Sequence, residues 1–287
     1  MSASFTEKQL RATLITGSPN TSFGNSGNNQ LVLTGLRMKA VMQGVANYTN
    51  TIELKIYGML PADMNALTIL YFRQIVSNQL LVLESNDGSG WHQVFSGTMI
   101  EAQPDYRGAP DVFFRVQANF GYFAQVSPAP ALSLDGPTDV ATVLQTLAIQ
   151  MGYKLIDNGV TAQISNSNYP GTLWDQFTAL AKAASVDFYI NGNTISICPK
   201  NQGRQNAPEI IIGPQSGLIG YPVFDRWGIE ITCLFNPAIE NGNPITVQSA
   251  LPGANGQWTP YSFTHTLESV TPGGAWQSTI LCQPVVI

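Results

Sequence analysis

The chain has little charge for its length of 287 residues. Asp, Glu, Lys and Arg make up 11% of it, whereas soluble domains typically have about 25%. A free soluble protein needs a charged surface to stay dispersed, and burying an unpaired charge at an interface is costly. The composition therefore suits a chain whose faces are covered by neighbours, and it suits equally a β-rich protein with an uncharged polar surface. The net charge of −5 comes without a basic stripe, which argues against sequence-specific nucleic-acid binding.

Cysteine and histidine are also scarce. The three cysteines, Cys198, Cys233 and Cys282, are odd in number and widely spaced, which argues against a disulfide framework and a zinc knuckle. Cys233 and Cys282 fall in strand-like runs and are predicted to be small buried side chains. The two histidines, His92 and His265, form no cluster with metal-ligand spacing. We therefore predict neither a metal nor a cofactor.

Long apolar runs are missing as well. The N-terminal segment MSASFTEKQLRA lacks the apolar core of a signal peptide, and no run approaches membrane-spanning length. We expect no membrane partner and a cytoplasmic protein that stays soluble or joins a particle.

Alternation of apolar and polar residues dominates residues 1–125. In TIELKIY (51–57), Ile52, Leu54 and Ile56 point one way, which is the pattern of a half-buried antiparallel strand. One short helix is predicted at 60–70, and the Gly-, Asn- and Ser-rich residues 17–30 predict a loop. Many such strands predict a barrel-like N-terminal tube domain.

Residues 126–204 are predicted to form a small α/β module, which begins with the Pro-rich linker VSPAPALSLDGP (126–137). After the linker, the spacing of apolar residues changes from that of strands to that of helices. Thr138 is predicted to cap a first helix, and a hairpin is predicted around Asp157-Asn158-Gly159. Thr172 and Asp175 resemble a capping box for a second helix. A second hairpin is predicted around Asn191-Gly192.

Alternation of apolar and polar residues returns in residues 205–287, where Ile229, Ile231 and Cys233 are separated by polar neighbours. This predicts a second β-barrel-like tube domain, and a weak internal repeat links it to the first. The fold class is therefore mainly β (α+β), with two antiparallel tube domains and a small α/β module between them.

No catalytic motif emerges. No serine has a nucleophile-elbow context, although a Ser-His-Asp arrangement is not excluded by sequence. A glycosidase needs two carboxylates in a cleft, and eighteen acidic residues always offer pairs, so a glycan-degrading enzyme stays open without support. The five tryptophans fit core packing, or anchors at an interface. We predict no catalytic residue.

Several segments resemble baseplate hub proteins of contractile-tailed bacteriophages, and they keep the family's order along nearly the whole chain. They are LVLTGLRMKAVMQGVANYTNTIELKIYGMLPADMNAL (31–67), QVFSGTMIEAQPDYRGAPDVFFRVQA (93–118), DVATVLQTLAIQMGY (139–153), GLIGYPVFDRWGIEITCLFNPAI (217–239) and GQWTPYSFTHTLESVTPGGAW (256–276). The likeness rests on coverage, since none of these segments is a chemical signature.

The resemblance implies a structural, non-enzymatic homotrimer whose ring adapts the six-fold tail tube to the three-fold spike around a DNA channel. Its partners would be the tail tube protein, the spike protein and other baseplate subunits, with the tape-measure protein a further candidate. It would lie in the virion baseplate after assembly in the host cytoplasm. Three alternatives stay open: a wall-glycan-degrading tail enzyme, a spike-base component of a related contractile injection system, and a monomeric carbohydrate-binding module.

Acidic residues are concentrated in the C-terminal third. Residues 205–287 hold five acids and one base, a balance of −4. If this part lines a channel, like-charge repulsion would keep passing DNA from adhering. The candidate channel-lining acids are Glu230, Glu240 and Glu268.

Overall fold

A computed structural model describes residues 7–17, 29–69, 79–205, 208 and 210–285. Most of the predicted loop at 17–30 lies outside these residues. Strands dominate the described part, so the predicted mainly β class is confirmed. Among the described residues, the strands pair into open sheets and no closed barrel forms.

The structure contains four α-helices and twenty strands within the described residues. The helices are α1 (Pro61–Leu67), α2 (Tyr122–Val126), α3 (Val140–Gln150) and α4 (Leu173–Ala183). The strands are β1 (Gln9–Ile15), β2 (Gln30–Thr34), β3 (Met38–Val45), β4 (Thr51–Tyr57), β5 (Leu80–Asn86), β6 (His92–Asp105), β7 (Phe113–Asn119), β8 (Leu132–Leu134), β9 (Thr138–Asp139), β10 (Lys154–Asp157), β11 (Gln163–Ile164), β12 (Ser167–Tyr169), β13 (Val186–Asn191), β14 (Thr194–Pro199), β15 (Ile210–Ile212), β16 (Val223–Phe224), β17 (Ile229–Leu234), β18 (Ile245–Val247), β19 (Gly256–Ser269) and β20 (Trp276–Pro284).

The chain divides into two compact units, each built from separate stretches. The first unit takes its described residues from Met1–Gln43, Thr51–Phe120 and His265–Gln277. The second takes them from Gly44–Asn50, Gly121–Thr264 and Ser278–Ile287. The division into 1–125, 126–204 and 205–287 along the chain stays a prediction.

In the first unit, the sheet follows the order β3-β4-β7-β6-β5-β1-β2, with antiparallel neighbours throughout. Ile52, Leu54 and Ile56 of β4 are buried, as their alternation predicts. The predicted short helix is confirmed as α1, which begins at Pro61 and buries Met64 and Leu67.

In the second unit, β16, β17, β20 and β19 are neighbours in that order, and β18 pairs with both β15 and β19. One face of β17 carries Ile229, Ile231 and Cys233 into an aliphatic core that also includes Ile280 and Cys282. The other face of β17 points away from this core, because successive side chains of a strand alternate sides.

Helices α3 and α4 belong to the second unit, and both caps are polar. The capping box of Thr172 and Asp175 is confirmed at α4. The predicted cap of α3 is wrong by one residue, because Asp139 accepts from the backbone N–H of Thr142 at 2.9 Å. Thr138 instead pairs with Ile164 as part of β9.

One predicted hairpin is confirmed and the other is wrong. Strands β13 and β14 form an antiparallel hairpin in which Asn191 pairs with Thr194. At Asp157-Asn158-Gly159 the chain turns, because the Asp157 carboxylate accepts from the backbone N–H of Gly159. However, β10 pairs parallel with the distant β14, and β11 pairs with β9.

Candidate interaction surface

A serine, a histidine and an aspartate meet at the exposed turn between β5 and β6. The Ser89 hydroxyl lies 3.2 Å from Nε2 of His92 and donates to the Asp87 carboxylate at 2.6 Å. In a hydrolytic triad the carboxylate instead holds the imidazole. Hydrogen bonds from the Ser89 hydroxyl and from the Ser89 backbone N–H lower the pKa of the Asp87 carboxyl. The cluster therefore organises the turn and does not have the geometry of a nucleophile relay.

A cavity of about 620 Å³ in the second unit is lined by Trp174, Phe188, Asp175, Asp187 and other residues. Asp175 belongs to the α4 capping box. Asp187 accepts from the Asn47 side chain at 2.9 Å and from the backbone N–H of Asn201 at 2.7 Å. Both carboxylates of this cavity therefore serve local structure.

The cysteines are buried strand residues, as predicted for Cys233 and Cys282. Burial raises the pKa of the Cys198 and Cys233 thiols to about 12, so both stay protonated at neutral pH. Within the described ranges, no three His, Cys, Asp or Glu side chains are grouped for a metal ion. No described helix is long and apolar enough to cross a membrane.

The three candidate channel-lining acids have different surroundings. Glu240 is paired with Arg204 at 2.6 Å in the second unit, and burial raises its pKa despite that neighbour. Glu268 is paired with Lys39 at 2.7 Å in the first unit. Glu230 projects to solvent from the outer face of β17. Two of the three charges are thus balanced by an adjacent cation.

Four of the five tryptophans are buried or half-buried. Trp276 is buried, Trp258 packs on the aliphatic core and donates to the carbonyl of Ala254, and Trp174 stacks with Phe177. The Arg11 guanidinium lies 4.4 Å from the Trp91 ring centroid. Trp227 differs, because 67% of it is exposed.

Trp227 is one of six exposed large apolar residues on or near β16 and β17 in the second unit. We call these residues the β16–β17 patch, and its members are Ile219, Tyr221, Val223, Phe224, Trp227 and Leu234. All six lie on the edge segment around β16, on the following turn, or on the outer face of β17. Val223 pairs with Glu230 and Phe224 with Ile229, so these two neighbours project from opposite sides of the sheet. Sequence reasoning missed the patch, since its members do not alternate regularly; the signal available was the apolar run from Leu218 to Phe224.

A family model described as baseplate hub gp41 matches residues 77–272. The chain belongs to the baseplate hub gp41 family. The predicted family is thereby confirmed, and the hub is a structural component of the phage tail baseplate. Among curated protein sequences, none matches it.

Solved structures show the same fold at low sequence identity. The 43 kDa tail protein of prophage MuSo2 from Shewanella oneidensis is 10% identical with a TM-score of 0.62, over 95% of this chain and 97% of that one. A tail protein from Neisseria meningitidis is 10% identical with a TM-score of 0.63, over 96% of each chain. The E. coli c3393 protein, a type VI secretion component, is 8% identical with a TM-score of 0.61, over 86% of this chain and 73% of that one.

Proposed function

We propose that the hub is a non-enzymatic subunit that forms a homotrimeric ring between the six-fold tail tube and the three-fold spike. The observation that carries this proposal is the match of residues 77–272 to the baseplate hub family. Likeness of fold to tail proteins over nearly the whole chain supports it. So does the low charge content, because a ring subunit covers a surface on both sides.

In this proposal the partners are the tail tube protein, the spike protein and neighbouring baseplate subunits, and DNA passes through the ring. Glu230 is the acid best suited to repel DNA at a channel wall, because Glu240 and Glu268 each sit beside a cation. Glu230→Lys, which reverses the charge, would then slow DNA ejection, while Glu230→Asp, which keeps it, would leave ejection unchanged. Equal ejection rates for the two variants would remove Glu230 from the channel.

The E. coli c3393 likeness favours a second candidate, the same adaptor role at the spike base of a related contractile injection system. The two candidates differ in their neighbours. Affinity purification of the hub from cells that make complete particles distinguishes them: a tail with a DNA-filled capsid supports the phage role, and a capsid-free particle supports the second.

The first test of the ring is the mass of the purified hub by light scattering, together with particle images. A trimer with a central hole is expected. A monomer that persists when the tube and spike proteins are added would contradict the proposal. Turnover of peptidoglycan by the purified hub would contradict its non-enzymatic part.

A further inference from the structure

We propose that the cavity lined by Trp174 and Phe188 is a binding site for a peptide segment in which one carboxylate lies next to an aromatic side chain. We call it the Trp174 cavity. The inference goes beyond the proposed ring and does not depend on it.

Unmatched positive charge distinguishes the Trp174 cavity. In the described part of the chain, seven Lys and Arg side chains form ion pairs, and Lys8 and Arg226 lie over tryptophan rings. The described lysines with neither kind of partner are Lys154, Lys182 and Lys200. Of these, Lys182 and Lys200 both line the Trp174 cavity. A chain that otherwise matches most of its cations therefore leaves two of them unmatched at one place.

The walls of the cavity are held in position by hydrogen bonds. The Asn47 side chain donates to the Asp187 carboxylate at 2.9 Å, and this bond holds the turn that carries Tyr48 against β13. The same carboxylate accepts from the backbone N–H of Asn201 at 2.7 Å, in the turn after β14 that also carries Lys200. A site that is already organised loses little conformational freedom when it binds.

Aromatic side chains in the lining provide a surface for a ring. The Trp174 ring stacks with Phe177, with their centroids 6.0 Å apart, and meets the Phe188 ring edge-on at 5.8 Å. Tyr48 also lines the cavity and is 68% exposed. Aromatic rings gain energy from stacked and edge-to-face contacts, so a ligand ring is favoured beside Trp174 and Tyr48.

The hydrogen-bonding groups of the lining favour a carboxylate over a sugar. Asp175 and Asp187, the two carboxylates of the cavity, already accept hydrogen bonds from the chain. The two lysines of the cavity, Lys182 and Lys200, offer only donors. A sugar hydroxyl needs acceptors as well as donors, whereas a carboxylate accepts from ammonium groups in short, charge-assisted hydrogen bonds.

The charges of the lining also limit the ligand to one negative charge. The two aspartates repel an anion, and this repulsion grows with the charge of the ligand. A phosphate ester carries almost two negative charges at neutral pH, so a single carboxylate fits the cavity better.

The size of the cavity and the role of the chain favour a peptide as the source of that carboxylate. The cavity has a volume of about 620 Å³, within the range of about 300–1,000 Å³ that is typical of ligand sites. The chain belongs to a structural baseplate family, and the groups that reach a baseplate subunit belong mainly to other proteins. An Asp or Glu next to an aromatic residue supplies the charge and the ring within two residues.

The probes are two acetylated and amidated tetrapeptides, Ala-Glu-Phe-Ala and Ala-Phe-Glu-Ala. Each is titrated into the purified full-length hub at low salt, and binding is followed by ligand-observed NMR. At least one should bind at millimolar concentration. Replacing its Glu with Gln should raise Kd about fivefold, because the pairing with lysine is lost. Replacing its Phe with Ala should raise Kd about fivefold as well.

Lysine variants of the hub locate the site. The double variant Lys182→Gln/Lys200→Gln should raise the Kd of the Glu peptide about fivefold and should abolish its preference over the Gln peptide. Lys154→Gln is the matched control, because it removes an exposed lysine without an ion pair that lies outside the cavity, and it should leave Kd unchanged. Tyr48→Ala, which removes an exposed ring, should raise Kd about fivefold. Far-UV circular dichroism should stay unchanged in all variants.

Three results would overturn the inference: no binding of either peptide at millimolar concentration, equal Kd for the Glu and Gln peptides, or an equal effect of Lys154→Gln and the double variant. Phenylacetate carries a ring and a carboxylate without a peptide backbone, and it should bind at least about fivefold more weakly than the better peptide. Equal binding of phenylacetate would overturn the assignment of the cavity to a peptide.

Discussion

Two positions on β17 test the assignment of one buried face and one exposed face to this strand. Ile231 is fully buried in the aliphatic core of the second unit, and Leu234 is 48% exposed on the outer face. Ile231→Ala removes three carbons, worth about 2.4 kcal/mol in transfer free energy. With the cavity left behind, the free energy of unfolding should fall by about 3 kcal/mol.

Leu234→Ala also removes three carbons, but about half of this side chain is exposed to solvent in the folded subunit. In the separated subunit it should therefore lower the free energy of unfolding by about 1 kcal/mol or less. Urea unfolding, followed by tryptophan fluorescence at low protein concentration, gives both values. Similar losses of stability at the two positions would refute the assignment of the two faces.

Three further substitutions test particular contacts. Thr172→Ala removes the hydroxyl that accepts from the Asp175 N–H at 3.1 Å and should cost about 1 kcal/mol of unfolding free energy in urea. Gly228→Ala would place a Cβ 2.1 Å from the carbonyl oxygen of Cys282, so a lower melting temperature is expected, whereas Gly253→Ala, with 3.4 Å of clearance, should be tolerated. Glu84 has its pKa lowered by hydrogen bonds from Arg11, so this carboxylate stabilises the fold above about pH 4.3 and less as the pH falls through its folded pKa. Glu84→Gln should therefore lower the melting temperature at pH 7 and leave it unchanged at a pH below the folded pKa of Glu84. A difference in melting temperature between variant and wild type that stays the same at every pH would contradict the stabilising role of the ion pair.

Local signals in the sequence predicted most of the secondary structure. Alternation located β4 and β17, because one face of each is buried while the other is partly or fully exposed. Helical spacing and caps located α3 and α4. The Thr138 cap was wrong because two adjacent residues both favour capping, and the pairing of Thr138 with Ile164 decided between them.

The errors and omissions come from distant contacts. β10 reads locally as the first half of a hairpin, and its true partner β14 follows only after α4 and β13. The channel-lining role of Glu230, Glu240 and Glu268 stays a prediction. The ion pairs of Glu240 with Arg204 and of Glu268 with Lys39 form only in the folded chain, so the sequence did not predict them. Trp227 was one of five equivalent tryptophans in the sequence, and only the fold distinguishes it as exposed.

The most direct test of the central claim is an electron cryo-microscopy reconstruction of intact tail particles that contain the hub. The account predicts three copies around the tail axis, between the tube and the spike. Absence of the hub from the baseplate, or a location away from the axis, would contradict the account.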